Sequence, residues 1–289
     1  MPRRATAIAL PELKLCKNRE CGSIATGYSG FCFTCDSSRS IRSYTTTPKP
    51  RATVKNPMGV EIECYNSDVR KVTHVARYVC RDGSLPSGGG EIKLCSTEAK
   101  LEDTAADVVQ RSRIVGNRVN KQCGLHVHMQ IDALKAIPTN RYYSDERYAV
   151  ADRLFEFVSS IEPFMFDIVP SSRQRNHYCN RVRHRDYLLS HHSWITMSSH
   201  LPTVEVRIHS GTMNPWKIKG WINAWKQVRP DLDKIATGEE GWRDIVDSYR
   251  DRGFLNKLTP DSIGYKYIRA RDNYGGKLEN FGFSRTVAG

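Results

Sequence analysis

The chain has 289 residues, enough for one large domain plus a small module, and no apolar run approaches the length needed to span a bilayer. Its formal charge of +13 implies an anionic partner or substrate, whether nucleotide, nucleic acid or acidic peptide. The hydrophobic patch before Pro11 is too short for a secretory signal, so a cytoplasmic protein without membrane contact is expected.

Residues 1–14 read as a loose basic tail. Residues 15–38 carry Cys16, Cys21, Cys32 and Cys35, with Gly22, Gly27 and Gly30 between the two pairs. That spacing lets two turns present four thiolates tetrahedrally, the pattern of a structural zinc (Zn2+) module. Four thiolates close the coordination sphere, so no catalysis is implied. The remaining cysteines, Cys64, Cys80, Cys95, Cys123 and Cys179, are scattered and read as reduced, mostly buried thiols. A Ser/Thr/Arg/Pro-rich linker over 39–56 leads to the main domain, 57–289.

In residues 58–64, Met58, Val60, Ile62 and Cys64 share one strand face and Glu61 and Glu63 the other. A short element over 69–79 precedes a turn signal at 81–84. The glycine run at 87–90 reads as a hairpin loop rather than a phosphate cradle, because no P-loop pattern surrounds it. It feeds a strand over 90–94, in which Glu91 and Lys93 oppose Ile92 and Leu94. Ser96 or Thr97 is expected to cap a helix reaching about Gly116, with Leu101, Ala105, Val108, Val109 and Ser112 inward.

Residues 125–131 alternate strictly, with His126, His128 and Gln130 on one face and Leu125, Val127, Met129 and Ile131 on the other. A histidine pair at that spacing can ligate a metal, hold a phosphate or lie on a polar surface. A second helix starts near Ser144 and carries Leu154, Phe157, Val158, Ile161, Phe164 and Met165 as core, with Pro163 expected to kink or end it. In the polar stretch 171–179, Arg173 and Arg175 could clamp phosphate oxygens, although their spacing alone favours an exposed surface. His184, His191, His192 and His200 follow without metal-ligand spacing. Over 203–209, Val204, Val206 and Ile208 oppose Thr203, Glu205, Arg207 and His209. Asn214 and Pro215 open a helix that packs Trp216, Trp221, Ile222, Trp225 and Val228 against an apolar surface. Residues 231–289 are polar and carry no clear pattern.

If the four strands share a sheet, its dry side packs on helices and its other side gathers Glu61, Glu63, Glu91, His126, His128, Glu205 and Arg207. Clustered carboxylates repel one another unless cations neutralise them, and a divalent metal is the economical solution.

The ordered set Gly59-Val-Glu-Ile-Glu63, Asp82-Gly-Ser84, Gly90-Glu-Ile92, Cys123-Gly-Leu-His-Val-His128, Ser172-Arg173 with Asn176-x-Tyr-Cys179, and Thr203-Val-Glu-Val-Arg207 before Gly211-Thr212 resembles the amidoligase family. The likeness covers roughly residues 56–230. It implies an α+β fold similar to the catalytic domains of glutamine synthetase and glutamate-cysteine ligase. In that fold a curved, mainly antiparallel sheet has helices on its outer face and a funnel of metal ligands on the inner one. The resemblance further implies that ATP phosphorylates a carboxylate to an acyl phosphate and that an amine then displaces phosphate. Family members occur near peptide-modifying or cell-wall genes and in phage-like contexts, so amino acid, peptide or protein substrates are expected.

Carried over by motif, Glu61 and Glu63 resemble the paired carboxylates that hold Mg2+ (or Mn2+), and Glu91 looks like a further ligand. His126 and Glu205 look like partners of Glu61 at a second ion. His128 and Arg207 would face the ATP phosphates, and Arg173, backed by Arg175, would neutralise the transferred phosphoryl group. Where the family often continues Glu-Ile with Ser-Pro, this chain has Lys93-Leu94-Cys95-Ser96. An Asn-containing stretch usual before the last strand is replaced by residues 193–199.

Two other classes compete. In one, a metal-dependent nuclease or phosphohydrolase, the basic surface and zinc module grip nucleic acid while the Glu/His cluster activates water. In the other, a non-catalytic scaffold binds nucleotide or peptide.

Overall fold

Period-two alternation in four segments resolves into one antiparallel sheet, assembled around the first of them. A computed structural model describes residues 57–65, 78–80, 85, 89–114, 116–137, 144–199 and 201–274. The basic tail, Cys16, Cys21, Cys32 and Cys35, the linker, the turn signal at 81–84, most of the 69–79 element and His200 lie outside the described residues.

The chain runs through β1 (Pro57–Cys64), β2 (Tyr78–Cys80), β3 (Gly90–Thr97), α1 (Glu98–Ile114), β4 (Gly124–Gln130), α2 (Asp132–Lys135), α3 (Asp145–Asp167) and α4 (Ser171–Gln174). A 3-10 turn at Arg185–Leu189 leads to β5 (Ile195–Met197), β6 (Thr203–Ser210), α5 (Pro215–Thr237), α6 (Trp242–Asp247), α7 (Gly253–Asn256) and α8 (Ile263–Tyr274). The fold is α+β, with the six strands in the order β2-β3-β1-β4-β6-β5. Every neighbouring pair is antiparallel. Both edge strands have only three residues, which leaves little unpaired backbone for another chain to join.

The apolar face falls where the alternation puts it. Val60, Ile62, Ile92, Leu125, Val127, Met129, Val204 and Val206 are buried in one core with the helices. The inward positions expected for α1, Leu101, Ala105, Val108, Val109 and Ser112, are likewise fully buried. Helix α1 packs on β1 and β3, α5 packs on β4, and α8 covers α5. Residues beyond 231, without pattern in the sequence, complete this layer by burying Tyr249, Phe254, Tyr267 and Ile268. Close contact of α5 with α8 depends on glycine: a Cβ at Gly220 would overlap the Tyr267 side chain. The free thiols of Cys64, Cys123 and Cys179 are buried, as expected. No helix among the described residues is long and apolar enough to cross a membrane.

Of the two cap candidates, Thr97 directly precedes α1, whereas Ser96 pairs with Met58 across the ladder. Two expectations change. Pro163 does not end its helix; α3 runs on to Asp167, and Ile168 still donates to the Phe164 carbonyl at 3.2 Å. Burial of Phe164, Met165 and Phe166 holds that last turn despite the lost backbone donor.

The second correction is His209. Leu125 lies opposite His209 but Val127 lies opposite Val206, so β6 carries one extra residue at this point. A one-residue slip transfers the following side chains to the other face. His209 therefore leaves Glu205 and joins Leu125 on the core side, where its ring lies 5.0 Å from Trp221 and its Nε2 is 2.5 Å from the Tyr267 hydroxyl. Burial, reinforced by the nearby charge of Arg271, holds this imidazole well below the usual histidine range.

The pH dependence follows from that direction. Below about pH 6.5 the unfolded chain takes up a proton that folded His209 refuses, so this residue removes stability as the pH falls, at ~1.4 kcal/mol per pH unit. Urea unfolding between pH 7 and 5.5 should show His209→Gln with a slope shallower by about that amount. Equal slopes in the two proteins would refute the neutral, core-facing histidine.

Candidate functional site

The opposite face of the sheet holds the chemistry. Register places Glu61 between Lys93 on β3 and His126 on β4, Glu63 opposite Glu91, and His128 between Gly59 and Glu205. Residues directly opposite in antiparallel strands have Cβ atoms about 5 Å apart, so these side chains meet. Gly59 contributes no side chain, which leaves room beside His128.

His126 is the hub. Its Nδ1 is 3.2 Å from Glu205 Oε1 and 3.4 Å from Glu61 Oε2, and its Nε2 is 3.5 Å from Glu63 Oε1. Burial would drive off its proton, yet hydrogen bonds to Glu205 and Glu61 outweigh burial and raise its pKa to about 9. His128 differs. Its Nδ1 lies 3.2 Å from the Thr203 hydroxyl, while its buried Nε2 has no hydrogen-bond partner and faces Glu61 Oε1 at 3.5 Å and Glu205 Oε1 at 3.9 Å. In the tautomer that donates the Nδ1 proton to Thr203, Nε2 presents a lone pair to two carboxylates, an arrangement suited to a cation between them.

The carboxylates are held ionised. Burial would raise Glu61, but bonds from His126 and Lys93, with the neighbouring His128 ring, carry it far below the ordinary carboxylate range. Glu205 is likewise opposed by burial and brought to about 2 by His126, His128 and Arg207, whose Nη1 donates to Oε1 at 2.6 Å. Two sets of ligand atoms lie within 4.8 Å of one another: Glu61 with His128 and Glu205, and Glu61 with Glu91 and His126. Carboxylate oxygens plus imidazole suit magnesium or manganese.

The residues singled out in the sequence thus meet in one place, with some exchange of position. His128 falls in a ligand set with Glu205. Glu63 stands outside both sets, and its Oε2 accepts the Gly124 N–H. Arg173, expected to meet phosphate, is 3% exposed and spends Nη2 on the carbonyls of Cys123 and His209 at 2.9 and 2.8 Å. Arg175 is exposed. The residue that sequence reasoning passed over is Lys93, whose Nζ bonds Glu61 Oε1 at 2.7 Å and Glu91 Oε2 at 2.8 Å. Its alternation with Ile92 and Leu94 already placed it on this face.

Beside the cluster opens a cleft of about 810 Å³. Glu63, Glu91 and His126 form its acidic end, and Lys121, Arg173, Arg175 and Arg207 line it together with His177, His191 and His192. Carboxylates at one end and guanidinium groups along the wall fit an anion held through a metal ion. Cys179 also reaches this cleft, but burial raises its thiol above the usual range, which argues against a nucleophile.

No family model matches this chain, and no curated protein matches it.

Gly124 keeps the hub in place. A Cβ there would come within 2.5 Å of His126 Nε2 and 2.7 Å of Arg173 Nη2. Gly124→Ala should fold, as judged by circular dichroism, and bind Mn2+ at least about tenfold more weakly because His126 and its carboxylate partners must shift. Unchanged affinity in calorimetric titration would contradict this geometry.

Proposed function

We propose that this protein is an ATP- and Mg2+-dependent carboxylate-amine ligase, an amidoligase acting on an amino acid, peptide or protein. The observation that carries the proposal is the placement of an ionised Glu/His cluster at one end of a basic cleft, on a sheet whose motifs follow the amidoligase order. Glu61, His128 and Glu205 hold the ion, which supplies charge neutralisation to the phosphate oxygens. Arg207 and Arg175 meet the phosphates, and Arg173, fixed by two backbone carbonyls, adds positive charge to the wall. The substrate carboxylate attacks the terminal phosphorus of ATP, releasing ADP and leaving an acyl phosphate. The amine nitrogen then attacks the acyl carbon, phosphate departs, and the amide forms with loss of a proton. Such transfer needs little from the protein beyond positioning and electrostatic stabilisation.

Cys16, Cys21, Cys32 and Cys35 enter this proposal as a structural zinc module on their spacing alone, with recruitment of the acceptor as its role. The net charge of +13 and the basic cleft wall favour a second reading, a metal-dependent nuclease or phosphohydrolase.

Thermal unfolding with Mg2+ and ATP separates the two. Ligand at a hundred times its dissociation constant stabilises the folded state by ~2.7 kcal/mol, an easily measured rise in melting temperature. Wild type should show that rise, Glu61→Gln should lose it, and hydroxylamine should trap the acyl phosphate once the acid is found. A shift with Mg2+ alone, unaffected by ATP and accompanied by nucleic-acid cleavage, would replace the ligase by the nuclease.

A further inference from the structure

The two candidate ligand sets share Glu61 but differ in what lies between their atoms. The set of Glu61, Glu91 and His126 already contains a cation: the Lys93 ammonium bridges Glu61 Oε1 and Glu91 Oε2 at 2.7 and 2.8 Å. Those are charge-assisted contacts to two carboxylates, made by a residue whose backbone pairs directly with Glu61. In the set of Glu61, His128 and Glu205 no ammonium bridges the carboxylates; they meet the longer contacts of His126 Nδ1, at 3.4 and 3.2 Å. There the buried His128 Nε2 has no hydrogen-bond partner and is aimed at Glu61 and Glu205. Arg207 reaches Glu205 through Oε1, from the cleft side, and does not join the three residues together.

We infer that Lys93 takes the place of a second divalent cation, so that this funnel binds one ion, at Glu61, His128 and Glu205, where two would otherwise fit. The inference rests on the metal centre proposed above and makes it more specific. A divalent ion among Glu61, Glu91 and His126 would have to share both bridged carboxylates with an ammonium of like charge. Lys93 is rooted in the middle of β3 and its side chain is 38% exposed, so removing its charge leaves the core-facing half of the strand intact. It also removes the ammonium that Glu61 and Glu91 share.

The test is a count of bound Mn2+ on the full chain, by equilibrium dialysis with electron paramagnetic resonance detection of the unbound ion. Thiolates select zinc over manganese, so Cys16, Cys21, Cys32 and Cys35 do not enter the count. Wild type should bind one equivalent tightly. Lys93→Met and Lys93→Gln should each bind two, the second variant keeping a hydrogen-bonding side chain in case the first fails to fold. Lys93→Arg, which preserves the charge, should bind one. Two equivalents on wild type, or one on both neutral variants, would overturn the inference and leave the metal centre standing. No bound Mn2+ on any of the four proteins would overturn the metal centre itself, and the inference with it.

Discussion

Everything on the polar face follows from one constraint: antiparallel register forces Glu61, Glu63, Glu91 and Glu205 to within reach of one another, and ionised carboxylates at that separation repel. The structure answers with a cation for each. Lys93 bridges two of them, His126 carries a proton among three, and Arg207 pairs with Glu205. His128 Nε2, which faces two of these carboxylates, has no hydrogen-bond partner. Burying such a cluster adds little stability, since desolvation of charge offsets most of the attraction. Its ligand atoms could instead hold a metal ion.

The proposed function draws on both charges. The Glu/His cluster would retain a divalent ion, and Lys121, Arg175 and Arg207 along the cleft wall would attract oxyanions. A simple metal buffer has no use for the basic wall, and a simple anion-binding protein has none for the carboxylates. Together they fit a substrate that presents phosphate to the ion and the guanidinium groups at once. This is why we place the ligase and the nuclease readings, both phosphoryl chemistries, ahead of the scaffold.

Much of this was legible in the residues themselves. Strict alternation identified the four long strands and assigned almost every side chain to the correct face, because one face is buried and register errors there are costly. The α1 and α3 cores were equally plain from their helical spacing. What could not be read was anything set by pairing across strands. The bulge that turns His209 into the core is a property of how β6 lies against β4, and the sequence of β6 alternates through it without interruption. Lys93 was visible on the polar face, but its role depends on the Glu61 pairing. The three-residue strands β2 and β5 are too short to show a period, and α8 is recognisable only once Gly220 admits Tyr267. The burial of Arg173 and its carbonyl partners were likewise invisible in a run of polar residues.

The central claim is that the Glu/His face is a divalent metal centre, and the most direct measurement is anomalous X-ray diffraction from crystals of the protein grown with Mn2+. The account predicts an anomalous peak ligated by Glu61, His128 Nε2 and Glu205, with Lys93 still bridging Glu61 and Glu91. An ordered Glu/His face without a peak at saturating Mn2+ would contradict it, and the carboxylate cluster would then be balanced by Lys93, His126 and Arg207 alone.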